Sequence, residues 1–131
     1  MRVLIDTNVL ISAMIWQNSI PATAVFHVAK HHEALICEQS LHELRAIINL
    51  KFQKYESDID AFLSSFRYEQ ISAKEGVGPH VRDVKDQTIM DAAAANTVDI
   101  ILTGDNDFLC MDLSYPQCLK PAEYLEKYKQ D

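Results

Sequence analysis

The chain is poor in cysteine, and the three present, Cys37, Cys110 and Cys118, form neither a CxxC pair nor an evenly spaced framework. A disulfide scaffold is therefore not expected, and the His and Cys residues lack the spacing of zinc ligands. No apolar run approaches the roughly 20 residues that a membrane-spanning helix needs. The opening Met-Arg leads directly into an apolar segment without the regions of a signal peptide, so a cytoplasmic protein with no membrane contact is expected. Positive charge is also scarce. Twelve Lys and Arg against 19 Asp and Glu give a formal net charge of −7, which leaves no broad basic face for nucleic acid. Neither a G-x-S-x-G elbow, a P-loop, a GxGxxG nor a HExxH occurs, so several common catalytic schemes find no support.

What is present is ordinary for a globular protein: 131 residues, 48% apolar and 24% charged. One domain spanning residues 1–131 is expected. Arg2 to Ile5 reads as a short buried strand ended by Asp6. Residues 8 to 15 have helical spacing, and Pro21 suits the first turn of a second helix. Ala34 to Cys37 is a second strand, and Ser40 opens a helix with Leu41, Leu44, Ile47 and Ile48 on one side. Residues 58 to 66 form a further helix, Tyr68 to Ile71 a weaker strand, and 72 to 85 the longest loop. Asp86 to Asn96 reads as a helix, Asp99 to Thr103 as a strand, Asn106 to Cys110 as one helical turn, and Pro121 as the start of a last helix. Short, continuously apolar strands alternating with helices predict an α/β fold with a mainly parallel sheet covered on both faces. Ligands in such sheets lie beyond the carboxyl ends of the strands.

Four acidic residues, each beside a short apolar run, fall at or near those ends: Asp6, Glu43, Asp86 and Asp105. Each also has a local explanation. Asp6 precedes a helix and suits an N-cap. Ser40-Leu-His-Glu43 matches an S-x-x-E capping box. Asp86, with Asp83, suits a helix start, and Asp105 after Gly104 suits a turn. Asp107 and Asp91 are fainter candidates. Asp91 lies five residues from Asp86, about 140° around an ideal helix. Carboxylates that converge repel each other unless a hard divalent cation neutralises them. The set therefore points to a Mg²⁺ or Mn²⁺ site able to activate water against a phosphodiester. Bound cations would also offset part of the net charge. His27, His31 and His32 crowd one helix end and read as dipole partners, and His42 as surface. Arg45, Lys51, Lys54, Arg82 and Lys85 are candidate phosphate contacts, read chiefly as solvated.

The segments Val-Leu-Ile-Asp-Thr-Asn-Val-Leu, Ser-Leu-His-Glu-Leu, Arg-Asp-Val-Lys-Asp-Gln-Thr-Ile-Met-Asp-Ala-Ala and Ile-Leu-Thr-Gly-Asp-Asn-Asp-Phe-Leu occur in this order across nearly the whole chain. Together they resemble a PIN-domain ribonuclease. The resemblance implies a three-layer α/β/α fold and a Mg²⁺- or Mn²⁺-dependent endoribonuclease acting on RNA. It implies that Asp6, Glu43, Asp86 and Asp105 form the acidic quartet, supported by Asp107, with Asp91 as a ligand for a second ion. Thr7, Asn8 and Thr103 would orient the carboxylates. Under it, Glu43 belongs to the acidic pocket rather than to a cap. Val84 stands where many relatives have proline. Small stand-alone proteins of this kind look like the VapC-like toxins of bacterial toxin–antitoxin pairs, which implies an antitoxin partner and a homodimer. Two other classes compete: a PIN-like scaffold that cuts nothing, and a receiver- or phosphatase-like domain. The latter's Asp-x-Asp pattern is broken by Asn8.

Overall fold

A computed structural model describes residues 1–73, 84–104 and 116–129, with the backbone alone described for 84–86. In chain order the elements are β1 (Arg2–Ile5), α1 (Thr7–Ile15), α2 (Ile20–His31), β2 (Glu33–Cys37) and α3 (Glu38–Lys51). A 3₁₀ helix (Gln53–Asp58), α4 (Ile59–Ser64) and β3 (Glu69–Ile71) follow, then α5 (Val84–Ala95), β4 (Ile100–Leu102), β5 (Gln117–Leu119) and α6 (Pro121–Tyr128). The strands form one sheet in the order β3-β2-β1-β4-β5, and all four pairings are parallel.

Side chains that alternate along a strand point to opposite faces, and both faces here are apolar. Val3 and Ile5, with Ala34, Ile36, Ile100 and Leu102, enter a core shared with residues of α1, α2, α3, α4 and α6. Leu4, Leu35, Cys37 and Ile101 enter a second core with Ile89, Met90, Ala92 and Ala93 of α5. That division makes the three layers, helices on each side of a sheet. A fully buried Leu or Ile stabilises by about 1.5–3 kcal/mol, and Leu4, Ile5, Leu35, Ile36, Ile100 and Ile101 are all fully buried. The apolar runs of the sequence are thus the strands that water never reaches.

The chain steps outward from β1 to β2 to β3, then crosses by way of α5 to β4 on the other side of β1. The carboxyl ends of β1 and β4 therefore flank the switch point of the sheet, where such folds bind ligands. In a parallel sheet each crossover helix starts at that same edge, so the first turns of α1, α3 and α5 all rise from it.

Several expected boundaries shift. The helix expected to open at Ser40 starts at Glu38, because β2 ends at Cys37 and the chain turns at once. Glu43 is consequently the sixth residue of α3, and the S-x-x-E capping box does not form. The helix expected over 58–66 is the shorter α4, preceded by the 3₁₀ helix, and β3 starts at Glu69. Helix α5 starts at Val84, two residues before Asp86. Strand β5 was not expected, since Gln117–Leu119 has no apolar run and owes its conformation to pairing with β4. The helical turn expected at Asn106 to Cys110 lies outside the described residues. Pro21 does lie in the first turn of α2, where Ser19 is the N-cap and its hydroxyl accepts the Ala22 N–H at 3.3 Å. Among the described residues no single helix is long and apolar enough to cross a membrane.

Candidate active site

Asp6 follows the last residue of β1 and precedes the first of α1. Its backbone is extended, and its N–H continues the β1–β4 ladder by donating to the Leu102 carbonyl at 3.0 Å. The side chain is held at both oxygens. Oδ1 accepts the Thr7 N–H at 2.8 Å, capping α1, and Oδ2 accepts the Thr103 hydroxyl at 2.9 Å. Thr103 directly follows β4, is wholly buried, and donates its N–H to the Leu119 carbonyl at 2.9 Å. The pairing of Ile5 with Leu102 brings these two residues together across 97 positions of sequence. The cap reading and the site reading of Asp6 are therefore compatible: one oxygen serves the helix, while the other is oriented from the next strand.

Glu43 lies in the second turn of α3 and is half-buried. Among the described residues it takes part in no hydrogen bond or ion pair. Asp86 is the third residue of α5, in the turn that rises from the switch-point edge, and its side chain lies outside the described residues. Asp91 is 4% exposed and accepts the Gln87 amide at 2.9 Å. Five helical residues separate it from Asp86, about 7.5 Å along the axis. Asp105 and Asp107 lie outside the described residues. Among those described, no three His, Cys, Asp or Glu side chains form a group that could hold a metal ion.

The donor chemistry nonetheless fits a hard divalent cation, because every candidate is a carboxylate and none is a thiolate. Asp6 has the oriented, buried carboxylate that such a site needs, with the Thr7 N–H on one oxygen and the Thr103 hydroxyl on the other. Of the three residues expected to orient the carboxylates, Thr103 does so through its hydroxyl and Thr7 through its backbone N–H, whereas Asn8 is exposed. Sequence reasoning missed Gln87, which a four-residue helical spacing to Asp91 would have suggested. It also misread Ser40, which is buried with no hydrogen-bond partner for its hydroxyl.

The candidate cations are partly accounted for elsewhere. Arg45 pairs with Asp60 at 2.9 Å on the surface, and the Lys54 ammonium sits 5.1 Å from the Tyr55 ring centroid. The three histidines do gather where α2 ends. His27 and His31 have ring centroids 4.4 Å apart, His27 Nδ1 lies 2.7 Å from the Tyr124 hydroxyl, and His32 Nδ1 lies 3.3 Å from the Met1 amine. This cluster fastens α2 to α6, at some distance in the fold from the switch point.

Two comparisons bear on this geometry. The family model of the PIN domain matches residues 2–107. A solved structure described as VapBC2 from Rickettsia felis bound to a DNA fragment from their promoter has a chain that superposes with a TM-score of 0.69. That match has 19% sequence identity and covers 92% of this chain and 98% of the other. No curated protein matches. The match to the family model covers both strands that flank the switch point and the helices between them, and the chain belongs to the PIN-domain family.

Proposed function

We propose that this protein is a Mg²⁺- or Mn²⁺-dependent endoribonuclease and the toxin of a toxin–antitoxin pair, acting in the cytoplasm and working as a homodimer under the control of an antitoxin. The observation that carries the catalytic reading is Asp6, a buried carboxylate oriented by Thr7 and Thr103 at the switch point of a PIN-domain sheet. The toxin reading draws support from the likeness to a chain of a VapBC2 assembly.

On this reading Asp6, Glu43, Asp86 and Asp105 hold the cation, Asp107 supports them, and Asp91 serves a second ion. A bound Mg²⁺ or Mn²⁺ supplies charge neutralisation and a water of lowered pKa. The chain's own part is orientation. Thr103 and the α1 N-terminus fix Asp6, α3 and α5 carry Glu43 and Asp86 from the same edge, and Gln87 holds Asp91. The cleavage is hydrolytic, with no covalent intermediate on the protein.

The test is cleavage of labelled single-stranded and hairpin RNAs with Mg²⁺ or Mn²⁺, against EDTA and an identically purified Asp6→Asn variant. Cutting should require the metal and fall by orders of magnitude in Asp6→Asn, while the variant stays folded, since Asn also caps helices well. Equal background cutting in every lane by folded, antitoxin-free protein would reject the nuclease and favour a non-catalytic scaffold.

A further inference from the structure

We infer that Ser40 is a positioning residue of the proposed site, its hydroxyl held in reserve for the Glu43 carboxylate. This rests on the ribonuclease reading above. Ser40, Leu44 and Ile48 are the buried residues of α3, spaced four apart on one face. Leu44 and Ile48 share a core with Val9 and Leu10 of α1. Ser40 heads that stripe in the first turn of α3, at the sheet edge from which α1 also starts with Asp6 as its cap. The residue is 2% exposed, and its Oγ has no hydrogen-bond partner.

A buried hydroxyl without a partner loses the hydrogen bonds water gave it, so Ala would suit this position better for folding alone. Glu43, three residues on, is its neighbour on the helix surface and also has no partner among the described residues. Two complementary groups, neither bonded, thus lie three residues apart on one helix: an O–H donor and an acceptor-only carboxylate. A carboxylate on a half-buried side chain with no partner has many rotamers, whereas a site ligand needs one. Ser40 is the donor placed to select it.

The experiment compares wild type with Ser40→Ala by thermal unfolding in EDTA and along a Mn²⁺ titration, with cleavage as a third readout. Without metal the variant should melt about 3 °C higher, as removal of an unsatisfied hydroxyl predicts. Its half-saturating Mn²⁺ concentration should rise about tenfold, the usual effect of losing a group that orients a ligand. Cleavage should fall at low Mn²⁺ and recover when Mn²⁺ is raised. A higher melting temperature with unchanged Mn²⁺ response would overturn the inference and make Ser40 a space-filling residue, leaving the nuclease reading intact. A wild type that neither responds to Mn²⁺ nor cuts would overturn both. If Ser40→Ala does not fold, Ser40→Cys, which keeps the volume and weakens the donor, decides by the same readouts.

Discussion

At Asp6 the two carboxylate oxygens have different tasks, and the Thr103 hydroxyl separates them. Thr103→Val keeps the shape and removes one donor from a buried carboxylate. A hydrogen bond to a charged group contributes about 1.5–3 kcal/mol, so the denaturant midpoint should fall by an amount in that range. Because the carboxylate loses one of the bonds that orient it, kcat/KM for RNA cleavage should fall about tenfold. Equal cleavage with lower stability would make the contact purely structural. The local sequence could not decide between cap and site at Asp6, because both need an acidic residue between a strand and a helix. The Thr103 contact that orients the second oxygen spans 97 residues, and only the β1–β4 register reveals it. Ser40 shows the opposite failure. An S-x-x-E pattern offered a local capping meaning, which does not form because α3 begins two residues earlier.

Helix ends carry the next level of control, and α5 ends against its own preference. The Val98 N–H reaches the Ala93 carbonyl at 3.3 Å, and both side chains lie in the same core. This six-to-one closure requires a left-handed residue before Val98, usually glycine. Here it is Thr97, with φ of 56°. A β-branched residue in that region costs about 1–2 kcal/mol. Thr97→Gly should therefore raise stability by about 1 kcal/mol, measurable by urea unfolding, without altering RNA cleavage. At the end of α2, burial first, then the Met1 ammonium, His27 and His31, lower the His32 pKa below 6.5. The packed face opposite brings Tyr124 and Tyr128 rather than an acid. Between the folded value and 6.5 the unfolded chain binds more protons at this group, so its stabilisation is full above 6.5 and declines as pH falls below it. His32→Gln should flatten that part of the stability curve, and an unchanged curve would assign the acid sensitivity to other groups. Elements with strong apolar runs, β1, β2 and β4, were legible from sequence because burial wrote them there. Strand β5 and the 3₁₀ helix were not, since neighbours rather than composition impose their conformation.

For the molecule as a whole, charge is the property that the proposed chemistry must reconcile. A net charge of −7 is unfavourable for approaching RNA and for compactness alike. Any salt relieves the second problem by screening, over a Debye length of about 8–10 Å at moderate ionic strength. Screening is indifferent to which acids are present, whereas a cation site at the switch point is not. Melting temperature should therefore rise modestly with NaCl, and rise further when Mn²⁺ or Mg²⁺ replaces part of the NaCl at matched ionic strength. At a metal concentration 100 times the dissociation constant, the specific part amounts to about 2.7 kcal/mol. Asp6→Asn should keep the NaCl response and lose the excess given by the divalent ion. If both responses survive the substitution, the divalent effect is diffuse, and the acids at the carboxyl edge of the sheet are not acting as one site. If the excess disappears together with cleavage, Asp6 belongs to a site that binds the divalent ion and gathers the charge. The acidic composition then reflects a site that is complete only with its cation, rather than a surface that repels the substrate.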